Sequence, residues 1–295
     1  MKKLAVLVLL ACFALPQLAF AGAWTLPKNN VWLEYSMKAN WSKEDFNSSY
    51  DRGRKAKNAR SWGWSLNPKM EYGVTDWLTI LGGVEYKEAK YKEYGRPPAW
   101  GPYRVKSHAA PTVDFGARVR LQEKPFVFSI QARAFIYTGW GQDENPRLSD
   151  GSDGYELRWM IGKVWDDRKI PFYIGLEQGY RFYNREVANQ IPIFVEAGFW
   201  PTKWLLIKSE VDAIICHDST GNVEKDYAIW RIGPSFQLLD LYDALTGRSI
   251  SSGSVTSDVT RSDKSLNLDI QYGYWFWGRN VAADQELVAK ISTQF

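Results

Sequence analysis

From residue 31 onward the chain alternates apolar and polar side chains with a period of two, in segment after segment. In the first, Val31, Leu33, Tyr35, Met37, Ala39 and Trp41 alternate with Glu34, Ser36, Lys38 and Asn40. Successive side chains of a strand point to opposite faces, so this pattern predicts a strand with one apolar and one polar face. The second segment sets Trp62, Trp64, Leu66, Met70 and Tyr72 against Ser65, Asn67, Lys69 and Glu71. The third sets Leu78, Ile80, Val84 and Tyr86 against Thr79, Glu85 and Lys87. In the fourth, Val113, Phe115, Ala117, Val119 and Leu121 face away from Asp114, Arg118 and Arg120. The fifth places Phe126, Phe128, Ile130, Ala132, Ala134 and Ile136 opposite Ser129, Gln131 and Arg133. The pattern recurs near 154–165, 171–184, 190–200, 204–216, 226–238, 264–277 and 284–295, which makes twelve strands in all. Helical spacing fits only Leu238 to Leu245.

The first 21 residues break this pattern and have the layout of an export signal. Lys2 and Lys3 are basic, Leu4 to Leu15 are largely apolar, and Ala19-Phe20-Ala21 offers small residues at the two positions a signal peptidase reads. Cleavage before Gly22 is expected, leaving residues 22–295 as the mature domain. The rival reading, a lipoprotein signal at Cys12, would leave a very short apolar region. Cleavage leaves Cys216 alone, so no intramolecular disulfide is expected. Beyond the signal no run approaches the roughly 18 apolar residues of a spanning helix. The 45 Trp, Tyr and Phe residues argue against disorder, and a net charge of +4 is too small to imply a nucleic-acid partner.

An exported chain of amphipathic strands is either a soluble sandwich or an outer-membrane barrel. Three features favour the barrel. The polar face carries many full charges and the apolar face almost none. Aromatic residues gather at strand ends, with Trp77, Trp165, Trp200 and Trp204 at one level and Trp140, Trp275 and Trp277 at the other, as bilayer interfaces select. Connection lengths also alternate. Those at Thr75-Asp76, 122–125, 166–170 and 201–203 are short, and those at 42–60, 92–109, 140–153 and 217–225 are long. In hydrocarbon every backbone polar group must be satisfied internally, so a spanning sheet has to close on itself. The expected fold is all-β: a closed antiparallel transmembrane barrel of about 12 strands, both termini periplasmic, in the outer membrane. Pro68, Pro111, Pro192 and Pro234 sit awkwardly in such strands. So does the Ser/Thr/Gly/Asp-rich segment 239–263, which falls on the side where turns should be short.

Three short stretches carry a family resemblance: Gly22-Ala23-Trp24-Thr25-Leu26-Pro27-Lys28, the run from Glu71 to Ile80, and Tyr274-Trp275-Phe276-Trp277-Gly278-Arg279-Asn280. They resemble the outer-membrane barrel family of meta-pathway phenol-degradation proteins, which implies a transporter of small, aromatic or hydrophobic solutes. The last strand, with Leu287, Ala289, Ile291, Thr293 and Phe295 alternating, resembles the signal read by the barrel-assembly machinery. Thr293 stands where such barrels often carry an aromatic residue.

Catalytic and metal sites are poorly supplied. Ser107-His108 and His217-Asp218-Ser219 lie at the outer ends of strands, where a barrel lipase or protease would work. Adjacent strand residues point to opposite faces, so neither group is a dyad by itself, and the same geometry defeats Cys216-His217 as a metal pair. Asp150, Asp153 and Glu156 have calcium-like spacing without the full loop pattern. No enzyme activity and no cofactor are expected. Arg52, Arg54, Lys55, Lys57 and Arg60 form a basic run that could meet lipopolysaccharide phosphates. The best candidate site is the polar face. Arg118, Arg120, Arg133, Arg158, Arg181 and Arg231 share it with Glu177 and Glu196. At one height they would form a charged, ion-selective constriction in a narrow or gated pore; fully paired, they would plug a closed structural or adhesive barrel.

Overall fold

The computed structural model describes residues 22–94, 103–184, 187–217, 224–246 and 265–295. The expected signal peptide lies outside the described residues. Twelve strands form one closed antiparallel barrel. In chain order they are β1 (Val31–Ser42), β4 (Arg60–Thr75), β5 (Leu78–Glu93), β6 (Tyr103–Gln122), β7 (Val127–Tyr137), β8 (Gly154–Trp165), β9 (Phe172–Tyr183), β10 (Asn189–Thr202), β11 (Leu205–His217), β12 (Asp226–Gln237), β13 (Ser265–Arg279) and β15 (Gln285–Gln294). Three short strands, β2 (Glu44–Phe46), β3 (Arg52–Arg54) and β14 (Val281–Ala282), make a separate sheet. Among the described residues no helix is long and apolar enough to cross a membrane; the strands are the spanning elements.

Each strand pairs with its sequence neighbour in the wall, and β1 closes the barrel by pairing with both β4 and β15. Across that seam Leu33 faces Thr293, Tyr35 faces Ile291, Met37 faces Ala289 and Ala39 faces Leu287, so the apolar faces coincide. A one-residue slip would turn every side chain to the wrong face, which fixes the register. Met70, Phe115, Leu157 and Ile291, each more than half exposed, mark an apolar outer surface, while Glu156, Lys208, Arg231 and Glu286 are buried. Apolar outside and charged inside is the inverse of a water-soluble sheet and the arrangement hydrocarbon demands.

Two expected loops are strand. Within 92–109, residues 92–93 and 103–109 are ladder, because β5 runs on to Glu93 and β6 starts at Tyr103, and 95–102 lie outside the described residues. Residues 42–60 hold β2 and β3, and β14 adds to that sheet through Val281 and Phe46. Loop length alone hides both extensions, which are set by pairing with a neighbouring strand rather than by local propensity. The short connections appear as expected. Leu238–Thr246 is the helix α1, as its spacing predicted. The remainder of the awkward segment, 247–263, lies outside the described residues.

The four prolines fall at interruptions. Pro111 sits where the β5–β6 register slips by one residue between Glu85 and Lys87. Pro68 pairs with Tyr35 of β1, but the β5 ladder skips from Leu66 to Lys69. Pro192 pairs with Ile214, and the β9 ladder skips from Gln190 to Ile193. Pro234 pairs with Ile207, and the β13 ladder skips from Ile232 to Ser235. A residue without an N–H is tolerated because the donor is missing where the ladder is already open.

The aromatic levels need correction. Trp77 is half exposed at a turn. Trp200 instead turns inward and packs with Tyr173 and Leu206. Trp275 lies on Tyr227 and Trp277 stacks on Tyr50. The exposed aromatics at that end include Trp41, Trp62 and Phe276.

Candidate functional site: the charged lumen and the segment that enters it

Register places the inward charges in rows across the wall. Arg118 of β6, Gln131 of β7 and Arg158 of β8 share one row. Arg133, Glu156, Arg181 and Gln190 share the next, on β7 to β10. On the other side Glu196, Glu210, Arg231 and Glu286 fall in a single row. Arg120 and Glu177 share a fourth row with Ser129 and Met160, so the sequence-predicted residues are gathered in four rows rather than one ring.

Every one of them has a partner. Arg118 grips Glu71 with both terminal nitrogens at 3.0 Å and donates to Gln131. Arg133 holds Asp114 at 2.5 Å. Arg158 bridges Glu156 at 2.9 Å and Glu177 at 2.5 Å, and Arg181 reaches the same Glu156 at 2.7 Å. Arg231 meets Glu286 at 2.5 Å and Asp212 at 3.2 Å. Glu196 accepts a hydrogen bond from the Tyr173 hydroxyl. Arg120 has the loosest contact, 3.5 Å to the exposed Glu123. Paired, bidentate geometry of this kind lets charges sit in a partly dry interior. The strand pattern alone missed the ion pair of Lys208 with Asp269 at 2.6 Å and the hydrogen bond from Gln271 to Glu210 at 2.7 Å. The available signal was their placement on the polar side of the alternation.

Residues 22–30 carry no strand alternation, and the structure turns them into the turn end of the lumen. Asn29 donates to the Gly73 carbonyl at 2.7 Å. Lys28 N–H donates to Asp76 at 3.0 Å, and Leu26 N–H to the fully buried Thr79 hydroxyl at 2.8 Å. The chain then crosses to the opposite wall. Arg118 donates to the Trp24 carbonyl at 2.8 Å, and Ser129 to the Ala23 carbonyl. The Gly22 N–H donates to Glu177 at 3.2 Å. Ala23 is buried with Val127 and Met160, and Trp24 packs on this cluster and on that of Tyr173. Two wall glycines make room: a Cβ on Gly73 would overlap the Pro27 carbonyl, and one on Gly162 the Trp24 ring. This segment is the element of the lumen that the sequence reading missed. Trp24 and Leu26 make it too apolar for a free tail, which was the available signal.

The other candidates do not assemble. His108 lies within β6, exposed and opposite Glu88, and His217 ends β11. β6 and β11 are separated by four strands around the wall, so the two histidines share no site. Asp218 and Ser219 lie outside the described residues. The Cys216 thiol donates to the Lys225 carbonyl. Asp150 pairs with Lys225, Asp153 takes the Tyr137 and Asn184 N–H groups, and Glu156 takes two arginines, so the calcium-like trio is divided among separate partners. Among the described residues no group of His, Cys, Asp and Glu could hold a metal ion. In the basic run, Arg52 is held by Glu44 and lies over Tyr274, and the buried Lys55 by Asp45 and Ser61. The Lys57 side chain lies outside the described set. Arg54 and Arg60 remain exposed. Phe295 is half exposed, and its backbone exchanges hydrogen bonds with Val31 at 2.8 and 3.0 Å.

No family model matches the chain, and no curated protein matches it. Among solved structures, an outer membrane channel from Pseudomonas putida F1 superposes with a TM-score of 0.62 at 11% identity, over 95% of this chain and 100% of that one. The transport unit of the autotransporter AIDA-I from Escherichia coli gives 0.44 at 10% identity, over 91% and 90%. A FadL homologue from Pseudomonas aeruginosa gives 0.37 at 8%, over 90% and 90%. The first likeness is one of fold. With the closed wall and the apolar outer surface, it makes this chain a twelve-stranded β-barrel of the outer-membrane type.

Proposed function

We propose that the barrel is a narrow, gated channel for small solutes, with residues 22–30 as the gate and the lumen charges setting selectivity. The observation that carries this reading is the manner in which that segment is held. It enters from the turn end, and beyond the Gly73 contacts of Asn29 and Asn30 it is held by hydrogen bonds to wall side chains and turn carbonyls and by one indole rather than by a strand ladder. Such a contact set can be released without breaking the wall. The rows of Arg118, Arg133, Arg158, Arg181 and Arg231 with their carboxylates would then face water, and their balance would decide which ions pass. The Pseudomonas putida protein of the same fold is an outer membrane channel, which supports this reading. The family resemblance adds aromatic compounds as a solute class.

The proposal places the short turns and both ends of the mature chain in the periplasm, with the mature chain beginning at Gly22. It takes Phe295 as the residue read during assembly, lipid and lipopolysaccharide as surroundings, and no catalysis. The test is single-channel recording in a planar bilayer, comparing the protein with a variant lacking residues 22–28. Small, infrequent openings that become large and steady on deletion support the channel. Two silent barrels would favour a closed structural role.

A further inference from the structure

The outward face of the wall does not stop at the apolar band. On β6 the outward apolar series Val113, Phe115, Ala117, Val119 and Leu121 spans nine residues, which matches the roughly 9–11 that a tilted strand needs to cross. Tyr103 to Pro111 therefore project beyond the hydrocarbon. The register slip at Pro111 passes the outward face from odd to even residues, so the projecting part exposes Arg104, Lys106 and His108. Pairing brings like charges together. Lys106 lies opposite Lys90, which lies opposite Trp62. Arg104 lies opposite Lys92, which lies opposite Arg60.

Five cations thus occupy two adjacent rows on three neighbouring strands. Like charges directly opposite in a sheet destabilise it. One outward carboxylate answers them: Glu88, 3.0 Å from Lys90 and 2.9 Å from Lys106. Hydrogen bonds from Lys106 and then Lys90 hold Glu88 well below the usual carboxylate range, to about 2, so it stays ionised and still leaves a surplus of four positive charges. Both ammonium-bearing side chains are about half exposed, at 46% for Lys90 and 53% for Lys106. An aromatic platform flanks them, with Trp62 and Trp41 continuing the Lys106–Lys90 row and Trp64 one outward row nearer the apolar band. Lys90 sits 4.5 Å over Trp62, Trp41 pairs with Trp62, and Trp64 packs on Tyr86.

We propose that this face binds the phosphate groups of lipopolysaccharide, with the acyl chains lying against the Trp41, Trp62 and Trp64 platform. The cations face outward, continuous with the lipid-facing band, rather than into the lumen where a soluble phosphate ester would pass. Guanidinium and ammonium groups pair with phosphate through charge-assisted hydrogen bonds, and an amphipathic anion satisfies both halves of the surface. The site uses Arg60 from the basic run. The inference rests on the orientation given above, with the long β5–β6 hairpin outside the cell.

The test is native mass spectrometry of the detergent-folded barrel titrated with diphosphorylated lipid A or with lipid A stripped of phosphate. The wild type is expected to retain the first and lose the second. The double variant Lys92→Gln/Arg104→Gln should bind diphosphorylated lipid A at least about tenfold more weakly. Lys90→Gln/Lys106→Gln provides an independent second variant, and heat-dependent gel mobility verifies that each barrel has folded. Equal retention of the two lipids by the wild type, unchanged binding in both variants, or full displacement of the lipid by excess inorganic phosphate would overturn the proposal. A silent bilayer recording alongside intact lipid discrimination would sink the channel reading and leave this one standing.

Discussion

The indole of Trp24 rests on the bare backbone of Gly162, close enough that a single Cβ at that position would overlap the ring. Gly162 is there for space rather than for an unusual backbone, since it sits in regular ladder between Val127 and Gly175. The wall is thus shaped to receive one aromatic side chain from a segment outside the sheet. Gly162→Val should expel Trp24 while leaving the outer face untouched. Losing the burial of a half-buried indole weakens the closed state by about 2 kcal/mol, roughly a thirtyfold shift toward open. Trp24→Ala should do the same by removing the other partner. Single-channel open fractions test both, and two unchanged records would detach the segment from gating.

Glu177 serves two partners, Arg158 at 2.5 Å and the Gly22 nitrogen at 3.2 Å. If the signal is removed before Gly22, that nitrogen becomes an α-ammonium and the hydrogen bond becomes an ion pair. Mass spectrometry of the protein purified from membranes should then give a chain starting at Gly22. Glu177→Gln removes the charge and keeps the shape, while Arg158 retains Glu156. The expected cost to the closed state is about 1 kcal/mol, or about fivefold in open fraction. The same effect from Glu177→Gln in a chain carrying a formylated Gly22 would show that the α-amino charge has no part in it.

Much of this was legible in the alternation, and the reasons are physical. A dyad repeat determines which face of each strand is apolar, and an apolar face with no other layer to cover it leaves closure in a membrane as the stable solution. The inward position of Arg118, Arg133 and Arg231 followed from parity alone. Their partners did not, because pairing depends on register between strands: Arg118 with Glu71 spans 47 residues and Arg231 with Glu286 spans 55. The N-terminal segment was hidden for a different reason. Residues 22–30 have no period, and their conformation is dictated by cavities at Gly73 and Gly162 that exist only once the wall has closed. The extension of β5 and β6 was missed because Lys92, Arg104 and Lys106 read as a soluble loop. They are strand residues whose outward face has left the hydrocarbon.

Phe295 contributes twice to the seam. Its backbone pairs with Val31, and its half-exposed ring lies on the outer surface of the last strand. Deleting the residue would remove both contributions, so Phe295→Ala is the cleaner variant. In vitro the barrel should lose at most about 1.5–3 kcal/mol, the value of one large apolar side chain, and should refold in detergent. In cells the steady-state level in the outer membrane should fall by much more, if the assembly machinery reads the ring. Immunoblots of membrane fractions beside refolding yields compare the two. Equal small losses in both would mean that the ring acts only as a membrane anchor.

Arg231 is the cation on which one side of the lumen depends, because Glu286 and Asp212 both reach it and Glu210 lies opposite it in the row. Glu286 and Arg231 are almost fully buried. Arg231→Met removes one partner and strands the carboxylates, and breaking a buried pair in this way costs about 3–5 kcal/mol. Some of that will be recovered, since Asp212 is partly exposed and Glu210 keeps Lys290 and Gln271. The expected result is a clearly lower urea midpoint for the detergent-folded barrel. Arg231→Met/Glu286→Leu replaces both charges with apolar groups and should recover most of the loss, because the desolvation penalty disappears together with the attraction. The two variants should also differ in conduction. The single variant leaves excess negative charge on that wall and should move the reversal potential toward cation selectivity, whereas the double variant restores the local balance and should not. A double variant as unstable as the single one would mean that Arg231 is held by packing of its stem rather than by its charge.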